Sequence, residues 1–169
     1  VTDENDAPVA VDNGTTTLEE MPVTVSVIDN DTDVDNDTLT VTDVDTSNLL
    51  PEEGTVTFTG SDITFTPAMD FVGTVTIPYT IEDGNGGTAT ADFIVFVENE
   101  NDAPVAVDNG TTTLEEMPVT VSVIDNDTDV DNDTLTVTDV DTSNLLPTEG
   151  TVTFTGSDIT FTPAMDFVG

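Results

Sequence analysis

Residues 54–67 read Gly-Thr-Val-Thr-Phe-Thr-Gly-Ser-Asp-Ile-Thr-Phe-Thr-Pro. Apolar and polar residues alternate on both sides of Gly60-Ser61, the period of two that puts one face of a strand in a core and the other in water. The pair predicts strands Gly54–Thr59 and Asp62–Pro67 joined by a tight turn. The same pattern extends outward to Pro22–Ile28, Thr38–Val44, Thr74–Ile81 and Thr88–Val97, the last two separated by the turn-forming Asp83-Gly84-Asn85-Gly86-Gly87. With a first strand near Val9–Val11, about seven strands fall in roughly 100 residues, the spacing of an immunoglobulin-like sandwich. No helical period occurs, so the expected fold class is all-β. Phe58, Phe65, Phe71, Phe93 and Phe96 are the aromatic core candidates, with Tyr79 placed where a sandwich buries a hydroxyl.

Composition restricts the chemistry. The 169 residues include 36 Asp or Glu and no Lys, Arg, His, Cys or Trp, for a formal net charge of −36. Ser-His and Cys-His nucleophile pairs, Schiff bases, thiolate or imidazole metal sites and disulfides all need residues the chain lacks. Paired acids such as Glu19-Glu20 have no sign of a sugar-shaped cleft between them, and the Gly-rich turn has neither the helix nor the Lys of a phosphate cradle. An enzyme is not expected. A surface without cations repels nucleic acid and anionic membranes, so neither is an expected partner. No run of 18 apolar residues and no signal-peptide pattern occurs, so the stretch is expected neither to span a membrane nor to carry its own export signal. Uniform negative charge makes compaction costly and calls for screening salt or bound cations.

A repeat of period 96 organises the chain: residues 1–73 and 97–169 agree at 70 of 73 positions, differing only at Thr2/Glu98, Asp3/Asn99 and Glu52/Thr148. Near-identity over a domain-length unit marks a tandem array. The expected organisation is a tail of a preceding repeat at 1–4, one repeat at 5–100 and a partial repeat at 101–169. The partial repeat stops before the counterpart of Thr74–Phe96, as in a slice of a longer polymer.

The stretch with metal chemistry is Asp29-Asn-Asp-Thr-Asp-Val-Asp-Asn-Asp37, copied with carboxylates at Asp125, Asp127, Asp129, Asp131 and Asp133. Five carboxylates at alternate positions, Asp29, Asp31, Asp33, Asp35 and Asp37, repel along a strand but suit a loop wrapped round a hard cation. Ca²⁺ takes six to eight oxygens, and a D-x-D-x-D start supplies them at alternate positions. Asp31, Asp33 and Asp35 fit that start, and Asn36 stands where Gly makes the turn, tolerable because Asn visits the left-handed region. Position twelve is Thr42 and not Glu, so the loop is calcium-type without being a helix-loop-helix site. Sandwich topology predicts a leading end that gathers Asp3, Asn5, Asp6, this loop and Asp83. The trailing end gathers Glu19, Glu20, Asp70 and the linker Glu98, Asn99, Glu100, Asn101 and Asp102. Stacked head to tail, such ends are unstable bare and rigid when filled with cations.

The 96-residue unit resembles the cadherin-like repeats of bacterial surface proteins and adhesins, through Asp3-Glu-Asn-Asp-Ala-Pro8, the Asp-rich loop and Tyr79-Thr-Ile-Glu-Asp-Gly-Asn-Gly-Gly87 with its alternating last strand. The resemblance implies Ca²⁺ ligands: Asp3, Asn5 and Asp6 in the linker, Asp31 and Asp33 as the D-x-D, Asp83 as the late Asp, Glu19 or Glu20 as the early Glu and Asp70 as the E-F acid. Two departures stand out. The linker lacks the second Asn before Ala7, and Asn99 replaces the first Asp of the inner linker. The implied function is an extracellular, calcium-rigidified stalk or fibre segment at a bacterial cell surface, with neighbouring repeats or identical subunits as partners and the tip ligand unspecified. Two alternatives stand beside it: a filament subunit joined by β-strand exchange, and a carbohydrate- or protein-binding module. Near-identical copies without an exposed aromatic cluster favour the spacer. The Asn-x-Thr sequons at Asn13, Asn30 and Asn36 arise readily in a chain with 35 threonines, so glycosylation is left open.

Overall fold

The structure is a computed structural model that describes residues 4–169; Asp3 lies outside the described residues. The chain divides into two compact units, residues 1–100 and 101–169. The fold is all-β, tandem sandwich domains, with no helix among the described residues.

Among its described residues unit 1 has seven strands: β1 (Asn13–Leu18), β2 (Val23–Ser26), β3 (Thr40–Val44), β4 (Gly54–Phe58), β5 (Asp62–Pro67), β6 (Gly73–Glu82) and β7 (Thr88–Glu98). They form a four-stranded sheet in the order β1-β7-β6-β3 and a three-stranded sheet β2-β5-β4. Alternation along β5, β6 and β7 buries Ile63 and Phe65 from one sheet against Ile77, Tyr79, Ile81, Phe93 and Val95 from the other. The opposite faces carry threonines, among them Thr24 and Thr64, whose hydroxyls meet at 2.7 Å. Burying side chains the size of Phe65 and Phe93 supplies the main stabilisation, on the order of 3–5 kcal/mol lost per Phe→Ala.

The first strand differs from expectation. Val9 makes only an isolated bridge to Thr32, and the strand proper is Asn13–Leu18, parallel to β7 with Asn13 opposite Phe93 and Leu18 opposite Glu98. Gly-Thr-Thr-Thr has no apolar alternation to announce it; pairing with β7 makes the strand. Two aromatic expectations also fail. Phe96 is 48% exposed because Phe93, Val95 and Val97 take the inward positions of β7, and Phe58, 43% exposed, ends the edge strand β4. Phe71 packs only partly against the core.

Unit 2 repeats the smaller sheet as β8 (Val119–Ser122), β9 (Gly150–Phe154) and β10 (Asp158–Pro163), in the order β8-β10-β9. Val119 pairs with Phe161 as Val23 does with Phe65. Residues 109–114 and 136–140, copies of β1 and β3, are not strands. Their sequences equal those of β1 and β3, which pair with β7 and β6 in unit 1, and residues 101–169 do not include copies of those two partners. Strand formation here follows the partner more than local propensity.

Candidate metal centre

In unit 1 the chain leaving β2 turns through residues 28–37. Asp31 N–H donates to the Ile28 carbonyl at 3.2 Å, and Thr32 exchanges backbone bonds with Val9 at 2.8 and 3.1 Å. That bridge turns Asp31 toward the first segment, where its Oδ1 accepts the Val11 N–H at 2.7 Å. Its Oδ2 is buried without a partner, and burial pushes the carboxyl up from the usual range. Asp29 takes the Ser26 hydroxyl at 3.0 Å. These bonds tie one oxygen each of Asp29 and Asp31 into the loop's frame, and the second oxygen of Asp31 stays unpartnered.

The convergent acids are Asp33, Asp35 and Asp37, each half-buried and each offering an oxygen within 4.8 Å of the others. Asp33 Oδ1 accepts the N–H of Asp35 at 2.9 Å and of Asp37 at 3.2 Å, the self-bonded turn that short acidic side chains favour. Asn36 completes it at φ 61°, the left-handed conformation expected of it. Around this cluster, Asp35 Oδ2 accepts the Asp6 N–H at 2.8 Å, and Asp37 Oδ2 accepts Asn85 Nδ2 at 2.7 Å. Asn85 belongs to the β6–β7 turn, and sequence reasoning gave it no role beyond that turn. The only signal was the turn's predicted place at the same end as the acidic loop.

Asp83 is 3% exposed. Its carboxylate accepts Asn5 Nδ2 at 2.8 Å, Asn85 N–H at 2.7 Å and the Gly87 N–H on both oxygens, at 2.9 and 3.1 Å. The Asn5 amide first, and then the backbone N–H groups of Asn85, Gly87 and Gly86, hold its carboxyl below the usual range against the cost of burial.

Register places Glu19 at the other end of the unit, since β1 and β7 run together from Asn13/Phe93 to Leu18/Glu98 while the β6–β7 turn closes the opposite end. Glu19, 5% exposed, bonds its N–H to the Glu98 carbonyl at 3.0 Å and accepts the Glu100 N–H on Oε1 at 2.9 Å. Glu20 (φ 60°) and Asp70 (φ 56°) occupy exposed turns, and Glu98 is exposed at the end of β7. None of these three joins an acidic cluster among the described residues. Asn99 Nδ2 bonds the Glu100 carbonyl at 3.3 Å.

Unit 2 repeats the loop. Asp129, Asp131 and Asp133 converge within the same 4.8 Å, Asp131 Oδ2 accepts the Asp102 N–H at 2.7 Å, and Asp133 N–H donates to Asp129 at 3.1 Å. Asp127 takes the Val107 N–H at 2.7 Å and Asp125 the Ser122 hydroxyl at 2.8 Å, the frame roles of Asp31 and Asp29. The acidic loop therefore forms without the last hairpin. Asn101, the copy of Asn5, turns its amide to the Asp102 carbonyl at 2.9 Å instead.

The donor set is all oxygen and all acidic, which suits a hard divalent cation and no soft metal. Asp31 Oδ2 and Asp33 Oδ2 are each buried and without a hydrogen-bond partner. A polar atom left that way costs free energy unless an ion or donor satisfies it, so the residues present fit Ca²⁺.

A seven-strand unit followed by a second unit that repeats its three-stranded sheet, each with an acidic loop at its leading end, defines a tandem immunoglobulin-like repeat protein. The chain belongs to the bacterial Ig domain family, whose model matches residues 5–96 and 101–169. No helix among the described residues is long and apolar enough to cross a membrane. No curated protein matches the chain. Solved structures similar to it include the human desmocollin-1 ectodomain, with TM-score 0.43 and 12% identity, covering 99% of this chain and 33% of that one. The protocadherin gamma B7 extracellular cadherin domains 1–4 give TM-score 0.45 and 15% identity over 94% of this chain and 41% of that one. A nucleoside hydrolase-related hypothetical protein from Saccharophagus degradans, associated with carbohydrate metabolism, gives TM-score 0.45 and 16% identity over 56% and 26%. The chain spans between 26% and 41% of the length of these three.

Proposed function

We propose that the chain is an extracellular stalk or fibre segment of a bacterial surface adhesin, stiffened by Ca²⁺ held in its acidic loops. The observation that carries this reading is the Asp33–Asp35–Asp37 cluster with its unpartnered buried Asp33 oxygen, the convergence of carboxylates alone recurring at Asp129–Asp133 in the second unit. Asp33, Asp35 and Asp37 would hold the ion, which neutralises their mutual repulsion. The linker is held from both sides by the chain's own groups: Glu100 by Glu19 within unit 1, and Asp102 by Asp131 within unit 2. An ion that fixes the loop also fixes Asp6 and Asp102, the residues by which the chain enters each unit. Stiffness, and hence reach, is the output of such a segment.

Small-angle scattering at constant ionic strength tests this. The maximum dimension and radius of gyration should rise on adding calcium and fall with EGTA, as the linker stiffens and relaxes. Identical curves in both conditions would leave a solvated acidic surface, of the kind that needs only salt screening, as the better account.

A further inference from the structure

The resemblance to cadherin-like repeats casts Asp83 as a calcium ligand, and its surroundings argue otherwise. A carboxylate has about four lone-pair sites, and three donors already engage both oxygens of Asp83: Asn5 Nδ2, Asn85 N–H and the Gly87 N–H shared between the two. The side chain is almost wholly buried. A Cβ at Gly87 would collide with Asp83 Oδ2 and come within 2.8 Å of the Ala7 Cα, so the glycine is what lets the turn and the entering chain close over the carboxylate. Asp83 also lies outside the Asp33–Asp35–Asp37 convergence.

We propose that Asp83 is a positioning residue: a metal-independent clasp that fastens Asn5, and through it the entering chain, to the β6–β7 turn. The neighbouring residue Asp6 then presents its N–H to Asp35, and Asn85, one bond from the same carboxylate, presents its amide to Asp37. Unit 2 supplies the contrast. Residues 101–169 do not include a copy of the β6–β7 turn; among them the acidic loop is formed and Asn101 folds its amide onto its own backbone. The loop builds the cation cluster; Asp83 fixes the chain beside it.

The test uses the whole 169-residue chain, with the near-ultraviolet signal of Tyr79, its single tyrosine, reporting unit 1. In EGTA, Asp83→Asn should lower the unit 1 melting temperature by about 5–10 °C, as expected for losing charge-assisted bonds in a domain of this size. Asn5→Ala should give a smaller drop, and the exchange of Asn5→Asp with Asp83→Asn should restore most of the loss by reversing donor and acceptor. The Asp6 amide should exchange with solvent faster in both single variants and return toward wild type in the swap, which a general loss of stability would not do selectively. A free ligand carboxylate predicts the opposite sign: its neutralisation relieves repulsion and raises the EGTA melting temperature. That result, or the loss of one bound calcium per chain in Asp83→Asn, would overturn the clasp. Only the calcium count rests on the proposed function. If the wild-type chain binds no calcium, that function fails, while the EGTA melts and the amide exchange still decide the clasp.

Discussion

Asp33→Asn separates the two roles of its residue. Asparagine keeps an oxygen at Oδ1 for the N–H groups of Asp35 and Asp37 and replaces the unpartnered buried Oδ2 with an NH₂. It also removes the repulsion of Asp33 from Asp35 and Asp37. Two charges 4.8 Å apart, the outer limit of the cluster, repel by about 0.9 kcal/mol at the dielectric of water and by about 3.5 kcal/mol at an effective dielectric of 20. The loop is half-exposed and screened by salt, so the lower value is closer, giving about 1–2 kcal/mol for both pairs. In EGTA the variant should therefore melt higher than wild type by about 5–10 °C. Calcium narrows or cancels that difference. At a free concentration of 100 times its dissociation constant the ion stabilises wild type by about 2.7 kcal/mol, and a tenfold weaker site retains about 1.4 kcal/mol. The calcium-induced rise in melting temperature should accordingly shrink by half or more. Thermal melts followed at Tyr79, in EGTA and in calcium at equal ionic strength, read both effects in unit 1. A variant that melts lower in EGTA and keeps the full calcium response would show that Asp33 only shapes the turn.

Two further predictions follow from the core. Burial, first, and then the negative charge of Asp31 push the Tyr79 hydroxyl up to about 12, against the Asn13 amide that lowers it. The neutral form is the folded form, so this contribution to stability is whole below about pH 10 and is lost as pH rises toward 12. A spectrophotometric titration with a native-state midpoint near 10 would contradict that burial. Gly54 has φ 146°, and a Cβ there would strike the Thr66 carbonyl oxygen and the Phe65 ring at 2.8 Å; Gly150 repeats this against Thr162 and Phe161. Gly54→Ala should cost about 2–4 kcal/mol from overpacking and backbone strain, visible as a unit 1 melting temperature lowered by at least 10 °C. A loss under 2 °C would mean that β4 and β5 pair less closely than described.

Strands β2 to β7 were legible because a half-buried strand writes its geometry into the sequence: Thr-Val-Thr-Phe and Ile-Thr-Phe-Thr can serve a core on one face only. Strand β1 was not, because nothing local distinguishes Asn-Gly-Thr-Thr-Thr-Leu from a loop. The same six residues at 109–114, without a β7 beside them, remain outside any strand. Phe96 was a misreading of parity, since Phe93, Val95 and Val97 already claimed the inward positions. The acidic loop was evident from its charge, which no strand face accommodates. Which of its acids converge was hidden, because it depends on donors supplied from elsewhere. The Val11 N–H takes one oxygen of Asp31 and the Ser26 hydroxyl one of Asp29, and the carboxylates that converge are those of Asp33, Asp35 and Asp37. Asp83 shows the same limit: an acid in a glycine-rich turn reads alike whether it faces an ion or the amide of Asn5.

Isothermal titration of calcium into the chelator-treated chain, at fixed ionic strength, tests the central claim most directly. Two loops of one sequence, Asp33–Asp37 and Asp129–Asp133, predict saturable binding of at least two ions per chain, abolished at the first loop by Asp33→Asn together with Asp35→Asn and retained at the second. Heats indistinguishable from those of an equal addition of sodium chloride would contradict the account.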